Sequence, residues 1–227
     1  MRIPRYAIIP TNGRECLKQC LDAIMPQVDE AIVIWTKSTE ELNALVDLGF
    51  NNVTFIGENL ELNISKWWNL GLDFCRDFGH LMVSANTTGK CDVAIINDDV
   101  IVPEGWFDAV AGKMREFKAA AACSGGSGMP VLHTHSGPVP LHTRMQGFAF
   151  ILAGESGLRA DEQFRWYCGD DDLGWRAAGV GGMVMIPGFH VNHLYPNQQV
   201  TPEMQGLIAE DMQRFVDKWG QRPWALF

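Results

Sequence analysis

An α/β fold, with a mostly parallel mixed sheet flanked by helices, is predicted by three features of the amino-acid sequence. Short apolar runs alternate with amphipathic helical stretches, which is the pattern of parallel strands joined by helical crossovers. The runs AIIP, AIVIW and VAII carry almost no polar residue, as strands covered on both faces do. Polar turns built from Pro, Asn, Gly and Asp punctuate the chain after the apolar runs. The 227 residues are 47% hydrophobic and 20% charged, close to globular averages, and favour one large domain over residues 1–227.

Taken in order, Tyr6–Ile9 reads as a strand stopped by Pro10-Thr11-Asn12-Gly13, and Glu15–Ala23 as an amphipathic helix. Ala31–Trp35 is a second strand. Glu40–Leu48 is a helix ending at Gly49, a residue suited to a C-cap, and Asn52–Ile56 is a third strand. Ile64–Asp77 is rich in helix formers and closes near Gly79; Asp92–Ile96 is then a buried strand running directly into Asn97-Asp98-Asp99. Pro103–Phe117 is predicted helical with proline in its first turn, where a missing N–H costs nothing. From Cys123 the chain is rich in Gly, Pro, Ser and His and has no charged side chain before Arg144, so this stretch reads as a long loop or irregular strands at the sheet edge. Phe148–Leu152 is a strand, Asp171–Ala178 a short helix, Met183–Ile186 a strand and Pro202–Trp219 a terminal helix.

Charge and cysteine content narrow the function. Eighteen Lys and Arg against 27 Asp and Glu leave a formal net charge of −9, which argues against nucleic acid or an anionic lipid surface as partner. A phosphate-bearing substrate then needs a cation or a local cluster of donors. The apolar run before Pro10 is too short for the core of a signal peptide, and no stretch supplies the ~20 apolar residues of a transmembrane helix; a cytoplasmic chain is expected. The six cysteines form no CxxC pair, so reduced, mostly buried thiols are expected. Cys16 and Cys20, four apart on a predicted helix, read either as core or as a weak metal or redox pair.

In open α/β sheets, ligands bind beyond the carboxyl ends of the strands, and two such ends carry unusual chemistry. Pro10-Thr11-Asn12-Gly13-Arg14 either presents backbone N–H groups and an Arg to a phosphate or base, or is an ordinary turn capped by Asn12. At Asn97-Asp98-Asp99 two adjacent carboxylates leave a buried strand, an arrangement that is costly unless a cation neutralises it; a divalent ion with oxygen ligands would do so. The plainer reading has one Asp capping a helix and the other solvated. In Asp170-Asp171-Asp172, Asp172 is spaced to pair with Arg176 along a helix face, acidic residues suit a helix N-terminus, and one carboxylate remains to act as a general base. A neutral imidazole in HVNH, which follows the last strand, is able to complete a metal site. His133, His135 and His142 lack an evident third ligand.

The ordered set PTNGR, NISKWWNLGL, VAIINDDVIVPEGWFDAV, GFAFI, GLRADEQF, GDDDLGWRAAG and IPGFHVNH resembles the family 2 glycosyltransferases with the GT-A fold, from about Tyr6 to His193. The resemblance implies a nucleotide-binding and donor-binding half over about 1–118 and an acceptor half, with the terminal helix, over about 119–227. It puts the family's metal-binding DxD on Asn97-Asp98-Asp99, with Asp99 a ligand to manganese or magnesium, Asp98 beside the donor, and His193 the late histidine near the metal. Pro10, Thr11, Asn12 and Arg14 match the nucleotide-binding first loop, and Asn69 lies in a segment that touches nucleotide or donor sugar. Asp170 matches the catalytic Asp of EDxDLxxR, with Gly169 where the family has Glu. Trp35 stands where the family's second strand ends in an Asp that reads the nucleotide; stacking on the base is the expectation there, beside the alternatives that the nucleotide is gripped differently or that Trp35 is core.

What the resemblance implies is a metal-dependent transferase that moves a sugar from a nucleotide-diphospho-sugar, UDP- or GDP-linked, to a hydroxyl on a protein, saccharide or lipid-linked acceptor, with inversion. Two alternatives stand beside it: a nucleotidyltransferase on a related sheet, and a non-catalytic module that binds sugar or nucleotide. PTNGR lacks the Gly-rich, Lys/Arg-rich run that a triphosphate site calls for, and the presence of both carboxylate clusters disfavours a degenerate module.

Overall fold

The computed structural model describes residues 2–43, 49, 51–82, 90–195 and 201–224, and only the backbone of 43 and 77–82. Strands β1 (Arg5–Thr11), β2 (Glu30–Trp35), β3 (Val53–Ile56) and β4 (Asp92–Ile96) are joined through helices α1 (Leu17–Ile24), α2 (Thr39–Asn43) and α3 (Ile64–Met82). There follow β5 (Val100–Ile101), α4 (Trp106–Glu116), β6 (Ala121–Ser124), β7 (Val131–His133), β8 (Ala149–Ala153), α5 (Gly169–Ala177), β9 (Met183–Ile186), β10 (Asn192–His193) and α6 (Pro202–Trp219). The sheet order is β3-β2-β1-β4-β8-β6-β9-β7, while β5 and β10 form a separate ribbon. Parallel pairing links β3, β2, β1 and β4, and also β6 to β9; β8 is antiparallel to both its neighbours, and β7 to β9. Six strands therefore point one way, and their carboxyl ends share an edge with the start of β8.

The apolar strands are covered on both sides, which is why they lack the polar alternation of a half-exposed sheet. Ala7 and Ile9 of β1 join α1 and α4 in one core, with Leu21, Ile24, Trp106, Phe107 and Met114. Tyr6 and Ile8 point the other way, into a core with Trp68, Cys75, Phe150 and Leu173. Helix α3 lies so close to β1 that a Cβ on Gly71 would stand 2.6 Å from the Ile8 side chain. A third cluster, Phe164, Cys168, Trp175 and Phe215, docks α6 onto α5 and the segment before it.

Several boundaries differ from expectation for local reasons. Helix α4 begins at Trp106, after a turn in which Trp106 N–H bonds the Pro103 carbonyl and Gly105 takes φ 75°, so the proline precedes the helix instead of opening it. Helix α3 continues past Gly79 to Met82. The predicted helix over 40–48 is described only to Asn43; the remainder lies outside the described residues. The Gly/Pro/His-rich stretch supplies β7 at the sheet edge and a 3-10 turn at Leu141–Thr143. All six cysteines are free thiols, and Cys16 and Cys20 are buried in the core. No helix among the described residues is long and apolar enough to cross a membrane.

Candidate active site

The carboxyl edge brings together residues that are far apart in sequence. Strand β1 ends at Thr11, whose buried hydroxyl donates to Asp98 Oδ2 at 2.5 Å and accepts the Gly13 N–H at 2.9 Å. Gly13 takes φ 79°, in the left-handed region that favours glycine, and turns the chain so that Arg14 faces the end of β4. The Arg14 guanidinium donates to Asp98 Oδ1 and, at 2.9 Å, to Asp99 Oδ2. Asp98 and Asp99 are 1% and 2% exposed, so their charges must be compensated inside the protein. Burial pushes the Asp99 carboxyl up, but His193 and Arg14 outweigh it and hold it below the usual carboxylate range. The cation that sequence reasoning required beside two adjacent carboxylates is, in this arrangement, Arg14.

His193 reaches the same place from the far end of the chain. Strand β10 pairs antiparallel with β5, setting His193 opposite Val100, and Leu194 N–H bonds the Asp99 carbonyl at 2.9 Å. The imidazole stacks on Phe148, with ring centroids 4.7 Å apart, and Phe148 is held by its carbonyl accepting the Asn97 N–H. His193 Nε2 stands 3.3 Å from Asp99 Oδ1, a buried oxygen that accepts no hydrogen bond among the described residues. His190 is exposed.

The acidic triplet opens α5 and is sorted by its contacts. Asp172, 0% exposed, takes Arg176 Nε at 2.8 Å, as the spacing predicts, and also Lys218 Nζ and Trp219 Nε1 from α6. Asp171 is buried and accepts Arg144 Nη1 at 3.0 Å; burial and the adjacent Asp170 nevertheless push its carboxyl well above the usual range, more than Arg144 lowers it. Asp170 is the half-buried one, and its Oδ2 accepts the Gly147 N–H at 3.0 Å. A Cβ at position 147 would lie 2.7 Å from that oxygen, so the close approach requires glycine. Gly169, where the family resemblance has Glu, faces Ser65: a Cβ there would lie 2.8 Å from the Ser65 hydroxyl.

Two candidates are placed elsewhere. Trp35 is 1% exposed and its indole N–H is engaged by the Ser38 carbonyl at 2.8 Å, so it is core and offers no face to a base. Asn69, 4% exposed, uses its whole amide to clamp another segment: Oδ1 accepts the Ala160 N–H, and Nδ2 donates to the Ala160 carbonyl and to Glu162 Oε1. Pro10 is buried within β1, and Asn12 is exposed in the turn but does not cap α1, which starts after Cys16. Sequence reasoning missed Phe148 and Gly147. The GFAF run that carries both was read as a strand start and as one motif of the resemblance, with no role given to either residue.

The fit of a divalent ion can be tested on these donors. Among the described residues no three His, Cys, Asp or Glu side chains gather closely enough to form a ready ligand set. Both oxygens of Asp98 and one of Asp99 are occupied by Thr11 and Arg14. What is left for a hard cation is the pair of the buried Asp99 Oδ1 and His193 Nε2, two ligands that substrate phosphate oxygens would have to complete.

No family sequence profile matches the chain, and no curated protein does. Solved structures do match. The crystal structure of S. aureus TarS 1–349 aligns over 95% of this chain and 72% of its own, with TM-score 0.54 and 13% identity. A second S. aureus TarS crystal structure aligns over 82% of this chain at TM-score 0.53 and 14% identity, and there this chain spans about a third, 36%, of the longer one. The fold is of the GT-A type. In a GT-A sheet of this order, β1, β4 and β8 adjoin at the centre, so Arg14, Asp98, Asp99 and the residues flanking Phe148 meet because their strands are neighbours.

Proposed function

We propose that the chain is a glycosyltransferase that moves a sugar from a nucleotide-diphospho-sugar, UDP- or GDP-linked, to a hydroxyl acceptor on a protein, a saccharide or a lipid-linked molecule. The observation that carries this reading is the pairing, on one sheet edge, of the buried Asp98 and Asp99, held by the partly exposed Arg14 and His193, with a half-buried Asp170 that accepts the Gly147 N–H. The first can meet a diphosphate and the second a hydroxyl. The Thr11–Gly13 turn and Arg14 would lie along the nucleotide and diphosphate. Asp99 and His193 would hold manganese or magnesium, which supplies charge neutralisation to the leaving diphosphate when bound.

Asp170 acts as general base. As the acceptor oxygen forms its bond to the anomeric carbon, the hydroxyl proton passes to the Asp170 carboxylate and the bond to the diphosphate oxygen breaks with its electron pair leaving on the nucleotide. Attack on the face opposite the leaving group inverts the anomeric centre. Asp171 and Asp172 are engaged by Arg144 and by Arg176 with Lys218, so they hold the start of α5 in position.

Incubation with a panel of UDP- and GDP-sugars, in manganese and in chelator, tests the reading by nucleotide release. Asp170→Asn keeps the shape but cannot accept a proton, and transfer should fall by about 10²–10⁴-fold while donor binding persists. Nucleotide release from none of the donors, or unchanged transfer in Asp170→Asn, overturns it.

A further inference from the structure

A cleft of about 440 Å³ opens between the loop that follows β3, the outer face of α3 and the 160–162 segment. None of the carboxyl-edge residues described above lines it; Asn69, placed away from that edge, does, with its amide already committed to the wall. We propose that this cleft is a second ligand site and that its ligand is a neutral saccharide.

Its walls are fixed without a ligand, as in preformed binding sites of this volume. On one side, Gly57 takes φ 92° in a place where a Cβ would stand 2.9 Å from the Trp35 carbonyl, and Asn59 takes φ 48° with its N–H on the Lys37 carbonyl at 3.0 Å. The Trp67 indole N–H donates to the Glu61 carbonyl at 3.0 Å and ties that loop to α3. On the other side the Asn69 clamp on Ala160 and Glu162 holds the opposite wall against the same helix.

The lining selects the ligand. Leu60 and Trp67, both partly buried against the core, and Leu70, which is 37% exposed on the outer face of α3, give an apolar floor. Apolar and aromatic side chains of this kind line ligand clefts, with a few polar groups fixing orientation. Around the floor stand the exposed Glu61, Lys66 and Glu162, of which Glu162 already accepts the Asn69 amide through Oε1. Asp73 is paired with Arg159 at 2.8 Å. Carboxylates accept and the Lys66 ammonium donates, the mixture that matches hydroxyls, each of which does both. A nucleotide or other phosphate would instead face two carboxylates for one ammonium. A purely apolar ligand would make no hydrogen bond to these rim groups. An apolar sugar face over the floor, with its hydroxyls at the rim, satisfies every group.

Saturation-transfer difference NMR on the full chain, with methyl β-glucoside, methyl β-galactoside, N-acetylglucosamine, N-acetylgalactosamine, lactose and cellobiose as probes, tests this. At least one should bind, and Trp67→Ala and Leu70→Gln should each weaken it about fivefold or more, whereas Asp99→Ala and Asp170→Asn should leave it unchanged. Leu70→Gln alters an exposed side chain and keeps the test valid if Trp67→Ala fails to fold. The proposal is overturned if no probe binds, if binding survives both cleft variants, or if Asp99→Ala abolishes it, which would put the sugar at the carboxyl edge. Displacement by uridine or guanosine would also overturn it, by making the cleft a nucleoside site. Because Asp99 and Asp170 are read separately, failure here and failure of the transferase reading are distinguishable.

Discussion

Arg14 neutralises two carboxylates that adjoin in sequence and are both closed to water. Taking one partner out of a buried charge pair strands the other, a loss larger than the pair's own net worth. Arg14→Ala should therefore lower stability by about 3 kcal/mol, the lower end of that range because the guanidinium keeps some solvent contact. Adding Asp98→Asn should recover part of it; equal denaturation midpoints for wild type and Arg14→Ala would refute the pairing. Asp171 gives the opposite kind of test. Its carboxyl is pushed up in the folded chain, so the folded state keeps a proton that the unfolded chain releases, and stability falls as pH rises from the ordinary carboxylate range towards the raised value. Asp171→Asn has no such proton, and denaturation midpoints from pH 4 to neutrality should decline less in the variant than in wild type. Identical profiles would mean that Asp171 is ionised throughout. The two acidic clusters were legible in the sequence because adjacent carboxylates at a strand end or a helix start are chemically conspicuous. In the second, Arg176 was legible too, four residues from Asp172; the partners of the first were not, because Thr11 and Arg14 lie 87 and 85 residues from the carboxylates they bond, and only the β1–β4 pairing reveals it. Trp35 shows the reverse error, since the end of an apolar strand looks the same whether its last ring meets a base or the core.

Helix α6 illustrates how an element far from the edge supports it. Asp211 is fully buried, and its carboxylate accepts the N–H groups of Trp166 and Tyr167 at 2.7 and 2.8 Å and Arg214 Nη1 at 2.6 Å. Those two residues lead through Cys168, at φ 58°, into Asp170. Asp211→Ala leaves two buried donors unpaired and should cost about 2–4 kcal/mol, with faster amide exchange at Trp166 and Tyr167; Asp211→Asn keeps an acceptor and should cost less. Unaltered exchange at both amides would show that α6 does not hold the segment. The amphipathic periods of α1, α3 and α6 and the all-apolar β1, β2 and β4 made these elements legible, because burial on a helix stripe or on two sheet faces leaves a pattern in one stretch of chain. Strand β6, AACS, left none: four small residues buried between β8 and β9 have no period, and alanine suits a helix as well. The β5–β10 ribbon, two residues on each side, is fixed by pairing across the chain and has no local signature at all.

The order of the sheet joins the two halves of the chain more closely than their sequence suggests. β4, the last strand of the first half, pairs along its whole length with β8 of the second, Asp92 opposite Ala153 through Ile96 opposite Ala149. β8 then carries β6 and, through it, β9 and β7. The apolar cores follow the same division: Ala7 and Ile9 pack with Val110, Ala149 and Val184, and Ile8 and Ile95 with Phe150 and Met185. The carboxyl-edge cluster also takes Asp98 and Asp99 from one half and His193 from the other. Residues 1–118 alone would leave β4, apolar after Asp92, as an exposed edge open to pairing with other copies, and would remove one side of both cores. The whole chain should therefore unfold in a single cooperative transition, far-ultraviolet dichroism and tryptophan fluorescence giving coincident midpoints in denaturant. A fragment of residues 1–118 should aggregate or remain unfolded at concentrations where the whole chain is folded. Two separated transitions, or a soluble fragment with a cooperative melt of its own, would show that the halves fold independently and that the β4–β8 pairing is a contact between finished units.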